Sequence, residues 1–228
     1  MFFPLKDENP TEKKPLLTVA LIVINVVVFL FTFFSNDFAP IVKEYGMIPK
    51  EIVAGEDLHT LFTSMFLHGG PIHLIGNVWF LWIFGDNIED LYGRPKFLFI
   101  FLGSGVCASL AHISLNPSSH ITTIGASGAI AGILGAYIIK YPRAKVVTLL
   151  FIFLFIHIIK IPAVVFLGVW VGLQVLSGVA TTIEGVQVTV AYWAHIGGFL
   201  AGMLMAFLIG ERISRPRKEI TKEYFRFG

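Results

Sequence analysis

The chain has 228 residues, 55% of them hydrophobic and 14% charged, with a net charge of +2 and a mean hydropathy of +0.77. A soluble domain carries about 25% charged residues, so this composition excludes an ordinary soluble fold and points to a protein that crosses a lipid bilayer several times. The single cysteine, Cys107, excludes an intramolecular disulfide framework and a cysteine-based metal site; no nucleic-acid partner, metal or cofactor is expected.

Charge-free runs extend from Pro15 to Asn36, Leu58 to Gly85, Phe97 to Ile139, Ile161 to Ile183 and Gly185 to Gly210. Residues 1–15, with Pro4, Pro10 and Pro15, read as a short polar tail. The first span covers residues 16–34; it is too long and too far from the start for a cleaved signal peptide. A long connection to residue 71 follows. It is apolar in its second half but broken by His59, His68 and Gly69-Gly70, as expected of a segment folded into the membrane interface.

Span 2 starts near Ile72 and ends at Asp86, Glu89 and Asp90, where Gly93-Arg94-Pro95 makes a turn. Span 3 covers 96–113 and is closed by Asn116-Pro117-Ser118-Ser119. Span 4 runs over 125–140 and stops at Tyr141-Pro142-Arg143. The apolar run Val146 to Ile159 is short of the 20 or so residues that a crossing needs, so it reads as interfacial or re-entrant. Spans 5 and 6 cover 161–180 and 190–210, within a six-helix domain over 16–212, and residues 213–228 form a basic tail.

In this all-α, six-span arrangement, fifteen of the seventeen Lys and Arg residues fall on one side. That asymmetry places both termini in the cytoplasm. Counting the 146–159 run as a seventh span would break the pattern.

The same topology starts spans 2, 4 and 6 at the outer face, and each carries polar residues there. His73 and Asn77 lie in the first turns of span 2, Ser127 opens span 4, and His195 lies about a turn into span 6. Taken alone, Ser127 among glycines reads as a helix-packing residue, and Asn77 as interhelical glue. His195 is more suspicious, since ionisable groups in membrane helices are costly and usually functional.

Together they have a chemical logic. A serine hydroxyl needs a general base to take its proton, and imidazole suits that task near neutral pH. Attack on an amide makes an oxyanion, which needs preorganised donors. Ser127 lies beside the free N–H groups and positive dipole end of a helix N-terminus. His73 and Asn77, at i and i+4, share one helix face and supply further donors. Gly-x-x-x-Gly steps at Gly128/Gly132 and Gly198/Gly202 would bring spans 4 and 6 close together.

At these residues the chain closely resembles the rhomboid intramembrane serine proteases. The matches are Gly125-Ala126-Ser127-Gly128, the segment from Ala194-His195 to Gly202, and His68-Gly69-Gly70-Pro71-Ile72-His73-Leu74-Ile75-Gly76-Asn77. Gly85-Asp86-Asn87-Ile88-Glu89-Asp90 is similar too, and the resemblance extends over residues 16–210. It implies a Ser127–His195 dyad without an acidic third member, and an oxyanion hole of His73, Asn77 and the Ser127 N–H. Gly125 and Gly128 would let a substrate backbone approach. Span 5, with Phe166 and Trp170, and the loop before span 6 would form a gate and cap. Transmembrane helices of other proteins would be the substrates, cut near their outer end.

The sequence departs from the family's pattern at Ala131, where some members carry a tyrosine that stacks on the base, and this leaves open what orients His195. The tryptophan-arginine motif of the first loop is not evident, because no arginine occurs between residues 35 and 71. A catalytically inactive rhomboid-like protein that binds membrane clients is the alternative, although such proteins lose the serine or the histidine and this chain keeps both. A transporter would spread polar residues through the depth of several spans. His68 is expected to order the first loop, His112 and His157 to be structural, and Glu89 to tie span 2 to its neighbours. The compact form and absent transit peptide suggest a bacterial or archaeal cell membrane, with the site opening to the extracytoplasmic side.

Overall fold

A computed structural model of the protein describes residues 2–152, 155–184 and 190–211. The basic tail at 213–228 and most of the loop before span 6 lie outside the described residues. In order, the elements are β1 (Phe2–Asp7), α1 (Leu16–Phe33), α2 (Phe38–Tyr45), α3 (Pro49–Val53), α4 (Thr60–Thr63), α5 (Pro71–Tyr92), α6 (Arg94–Leu115), α7 (Ser127–Lys140), β2 (Lys145–Ile152), β3 (Phe155–Pro162), α8 (Ala163–Glu184) and α9 (Tyr192–Leu208).

Helices α1, α6 and α8 are long and apolar enough to cross a membrane, while α7 and α9 are apolar but shorter. The fold is therefore a mostly helical membrane bundle. In α1 the buried residues are Thr18, Leu21, Asn25, Phe29 and Thr32, a stripe at helical spacing, while Val23, Ile24, Val27, Leu30 and Phe31 are exposed. Apolar side chains on the outside and polar ones inside are what a lipid surround selects. The buried Glu89 ties α5 to the start of α1: its carboxylate accepts from the N–H groups of Leu17 (2.9 Å) and Thr18 (2.7 Å) and from the Thr18 hydroxyl (2.9 Å). A carboxylate at a helix N-terminus satisfies orphan donors and complements the dipole, so Glu89 has the structural role expected of it.

The expectation of an all-α fold is corrected by a three-stranded antiparallel sheet of order β1-β2-β3. Residues 2–7, expected in a polar tail, form its first strand, pairing Phe2 with Leu150 and Asp7 with Val146. The run at 146–159 lies in the β2–β3 hairpin, paired from Lys145↔Pro162 to Ile152↔Phe155. Val146, Val147, Thr148, Ile156, Ile158, Ile159 and Ile161 are β-branched and suit a pleated surface better than a helix. The sheet is fastened to the bundle through β1. The Trp79 indole N–H donates to the Pro4 carbonyl (2.7 Å), and Asp7 accepts from the Tyr137 hydroxyl (2.5 Å) and the Asn87 amide (2.9 Å). Burial pushes the Asp7 carboxyl up to about 6 against the opposing effect of that Tyr137 hydrogen bond.

At the centre stands α7, buried continuously from Gly128 to Tyr137 and packed chiefly on α9 and α6. Its contact with α9 is made of bare backbone. A Cβ on Gly198 would fall on the Gly128 carbonyl oxygen, one on Gly202 on that of Gly132, and one on Gly135 on that of Phe199. Small residues let membrane helices meet at this separation.

Candidate active site

Ser127 is the first residue of α7, and its position is set by the segment that precedes it. Met47 and Thr123 form an antiparallel bridge, with N···O distances of 3.1 and 2.8 Å, and the Gly125 N–H donates to the Ser64 carbonyl at 2.8 Å. The first loop thus holds the chain immediately before Ser127. Gly125 has φ +125°, a backbone conformation that side-chain-bearing residues rarely adopt. The helix proper begins with the Ile130 N–H donating to the Ala126 carbonyl (2.9 Å). The N–H groups of the first turn therefore precede its internal ladder.

His195 sits in the first turn of α9, and the glycine contact between α7 and α9 brings it to Ser127. The distance from Ser127 Oγ to His195 Nε2 is 2.8 Å. The hydroxyl is the only proton donor of the pair when the ring is neutral with Nε2 unprotonated, so it donates to Nε2. The opposite ring nitrogen, Nδ1, lies 2.7 Å from Gln174 Oε1 of α8. The Trp170 ring lies beside the imidazole, tilted at 32° with the centroids 6.0 Å apart.

His73 and Asn77 come in from α5. The Gly69 N–H points at His73 Nδ1 (3.4 Å), and the Asn77 side-chain amide donates to the His73 carbonyl (3.0 Å). A Cβ built on Gly125 would lie 2.7 Å from His73 Nε2 and 3.8 Å from Asn77 Nδ2. Both nitrogens therefore border the backbone two residues before Ser127. With Nδ1 accepting from Gly69, the His73 proton is on Nε2, the nitrogen facing Gly125.

Other expected residues fall elsewhere. Gly128 is buried, and a Cβ there would lie 2.5 Å from the Ala108 Cβ of α6, so it packs helices rather than facing an open approach. Phe166 is a core residue, edge-on to Phe2 (5.2 Å between centroids) and 6.3 Å from Phe84. Only Trp170 of the two aromatic residues on α8 reaches the site. Gln174 was not anticipated, although it continues the spacing of Phe166 and Trp170 by a further four residues and is polar in an apolar span.

His68 is fully buried in the loop before α5, edge-on to His73 at 5.2 Å, and neither ring nitrogen has a hydrogen-bond partner among the described residues. Burial, then the neighbouring His73, hold it down at about 4. Its ordinary value is near 6.5, so the folded state keeps a neutral ring that the unfolded chain protonates more readily. That contribution is fully present above pH 6.5 and is lost as pH falls through 6.5 toward 4. Thermal unfolding at pH 5 should show about 2 kcal/mol less stability from this residue than at pH 7.5. His68→Leu should flatten that dependence; an unchanged pH profile in the variant would remove His68 as its source.

Comparison with known proteins gives the family of the chain. The Rhomboid domain family matches residues 55–212. Rhomboid protein 1, mitochondrial, from Saccharomyces cerevisiae is 28% identical over 209 residues, covering 89% of this chain and 56% of its own length. RHOMBOID-like protein 6, mitochondrial, from Arabidopsis thaliana is 25% identical over 244 residues, covering 90% and 72%. Rhomboid protease GluP from Bacillus subtilis is 37% identical over 92 residues, covering 40% and 18%. The chain thus spans little more than half the length of the yeast relative. The expected location in a bacterial or archaeal cell membrane is corrected here, because the relatives matched over about nine-tenths of this chain carry mitochondrial names. That expectation rested on the length of the chain and on its first residues, and neither is a property of the bundle or its site. With a Rhomboid domain match over more than two-thirds of its length, the chain belongs to the rhomboid family.

Proposed function

We propose that this protein is an intramembrane serine endopeptidase that cleaves transmembrane helices of other membrane proteins. The observation that carries the reading is the 2.8 Å contact between Ser127 Oγ and His195 Nε2, made between two helices with no hydrogen-bonding need to meet there. Ser127 gives its proton to His195 and attacks the scissile carbonyl carbon. The imidazolium then protonates the leaving amine, and water, deprotonated by His195, releases the acyl group. The first-turn N–H of Ser127, His73 Nε2 and Asn77 Nδ2 are the donors proposed for the oxyanion, with Gly125 giving the substrate backbone room.

Six crossings are proposed, by α1 and α5 to α9, with both termini on the Lys- and Arg-rich side. At 14 residues α7 is about 21 Å long, shorter than the roughly 30 Å hydrocarbon layer. Its N-terminus is then below the membrane surface, so a substrate helix has to unwind near its outer end to reach Ser127. Trp170 and α8 are proposed to border its path.

A fluorophosphonate probe should label the purified protein in detergent, and Ser127→Ala should remove the label. Equal labelling of the two would sink the serine assignment and favour a non-catalytic protein that binds membrane clients.

A further inference from the structure

The dyad does not explain what holds the imidazole. One turn beyond Ser127 the chain has Ala131, whose methyl group is too short to cover the ring. The ring is held from α8 instead. Phe166, Trp170 and Gln174 recur every four residues and so share one face of that helix. Phe166 anchors the stripe in the core, Trp170 borders the ring, and Gln174 Oε1 stands 2.7 Å from Nδ1.

We propose that Gln174 is a positioning residue for His195, its amide carbonyl accepting from Nδ1–H and so keeping Nε2 free to take the Ser127 proton. This rests on the protease reading above. Imidazole is a base at Nε2 only in the tautomer with its proton on Nδ1. A carbonyl acceptor at Nδ1 selects that tautomer, fixes the ring plane, and gains strength as the ring becomes an imidazolium. A carboxylate would do the same with more force, but an ionised group at membrane depth is costly. A neutral amide orients the base without a buried charge. Among the described residues, the other titratable groups whose charge acts on His195 are His73 of α5 and His112 of α6. Because the acceptor comes from α8, any displacement of α8 from α9 also releases the ring.

The test uses the full chain in detergent, comparing wild type with Gln174→Met, which keeps the length and loses the acceptor, and Gln174→Glu, which keeps an acceptor oxygen. Two rates are measured: fluorophosphonate labelling, which reads Ser127 activation with a small probe, and cleavage of a model transmembrane substrate. Gln174→Met should slow both labelling and kcat by about 10- to 100-fold, with KM nearly unchanged. Gln174→Glu should keep most of the activity at alkaline pH and move the acid limb of kcat/KM to higher pH, since a carboxylate favours the imidazolium. Wild-type labelling by Gln174→Met, or a change confined to KM, would overturn the proposal while leaving the dyad intact. If wild type labels no more than Ser127→Ala, the protease reading falls and this inference with it.

Discussion

His195→Ala is expected to lower cleavage of a transmembrane substrate by at least about 10,000-fold, with little change in thermal stability. Without the imidazole, the Ser127 hydroxyl has no acceptor for its proton, and a neutral hydroxyl attacks an amide carbonyl poorly. The residual rate would come from substrate binding and the donors beside Gly125. Stability is spared because His195 and its two partners, Ser127 and Gln174, are each only half-buried, so none is left fully enclosed without a partner. The measurement is single-turnover cleavage alongside a melting curve. Retention of more than a small fraction of activity would mean that some other group accepts the proton.

The second large effect is structural. Gly202→Ala should cost about 3 kcal/mol, because a Cβ there would overlap the Gly132 backbone, and backbone cannot step aside as a flexible side chain can. For a domain of this size that corresponds to a melting point lower by about 6–12 °C. Gly168→Ala on α8 is the matched comparison: nothing lies within 4 Å of the added methyl, and alanine favours the helix by up to about 1 kcal/mol. The same chemical change should therefore have opposite signs at the two sites. Equal effects would show that the α7–α9 crossing is looser than its geometry implies. Since Ser127 and His195 are carried by those two helices, Gly202→Ala should also reduce activity in the fraction that stays folded.

These two predictions differ in how far they were legible beforehand. Ser127, His195, His73 and Asn77 were readable from residue type and position, because each is a polar group in an otherwise apolar segment and the three motifs occur in order. The glycine steps were readable too, as spacing. Which glycine meets which backbone was not, nor was the use of Gly128 against Ala108 of α6. Spacing gives the face of a helix but not its partner.

Gln174 shows the limit most clearly. It lies 21 positions before His195, on a helix whose rotation about its own axis is set by packing. Only when Phe166 is seated against Phe2 and Phe84 does the third residue of the stripe point at Nδ1. Pairing across the sheet was hidden for a related reason. Val146–Ile159 is apolar apart from Thr148 and His157, so periodicity could not separate a hairpin from a re-entrant segment. Its partner strand, Phe2–Asp7, is about 140 residues away in sequence, where a stretch broken by Pro4 looked like a tail.

By itself, then, the sequence determined that the chain is a membrane protein, where its apolar segments begin and end, and which polar residues stand out in them. Those follow from local properties, since hydropathy, charge and turn residues act segment by segment. The tertiary structure alone decided that residues 2–7 and 145–162 form a sheet, that Phe166 belongs to the core, and that Gln174 meets the His195 ring. Each of these depends on side-chain or strand partners distant in the chain, and only packing brings such partners together.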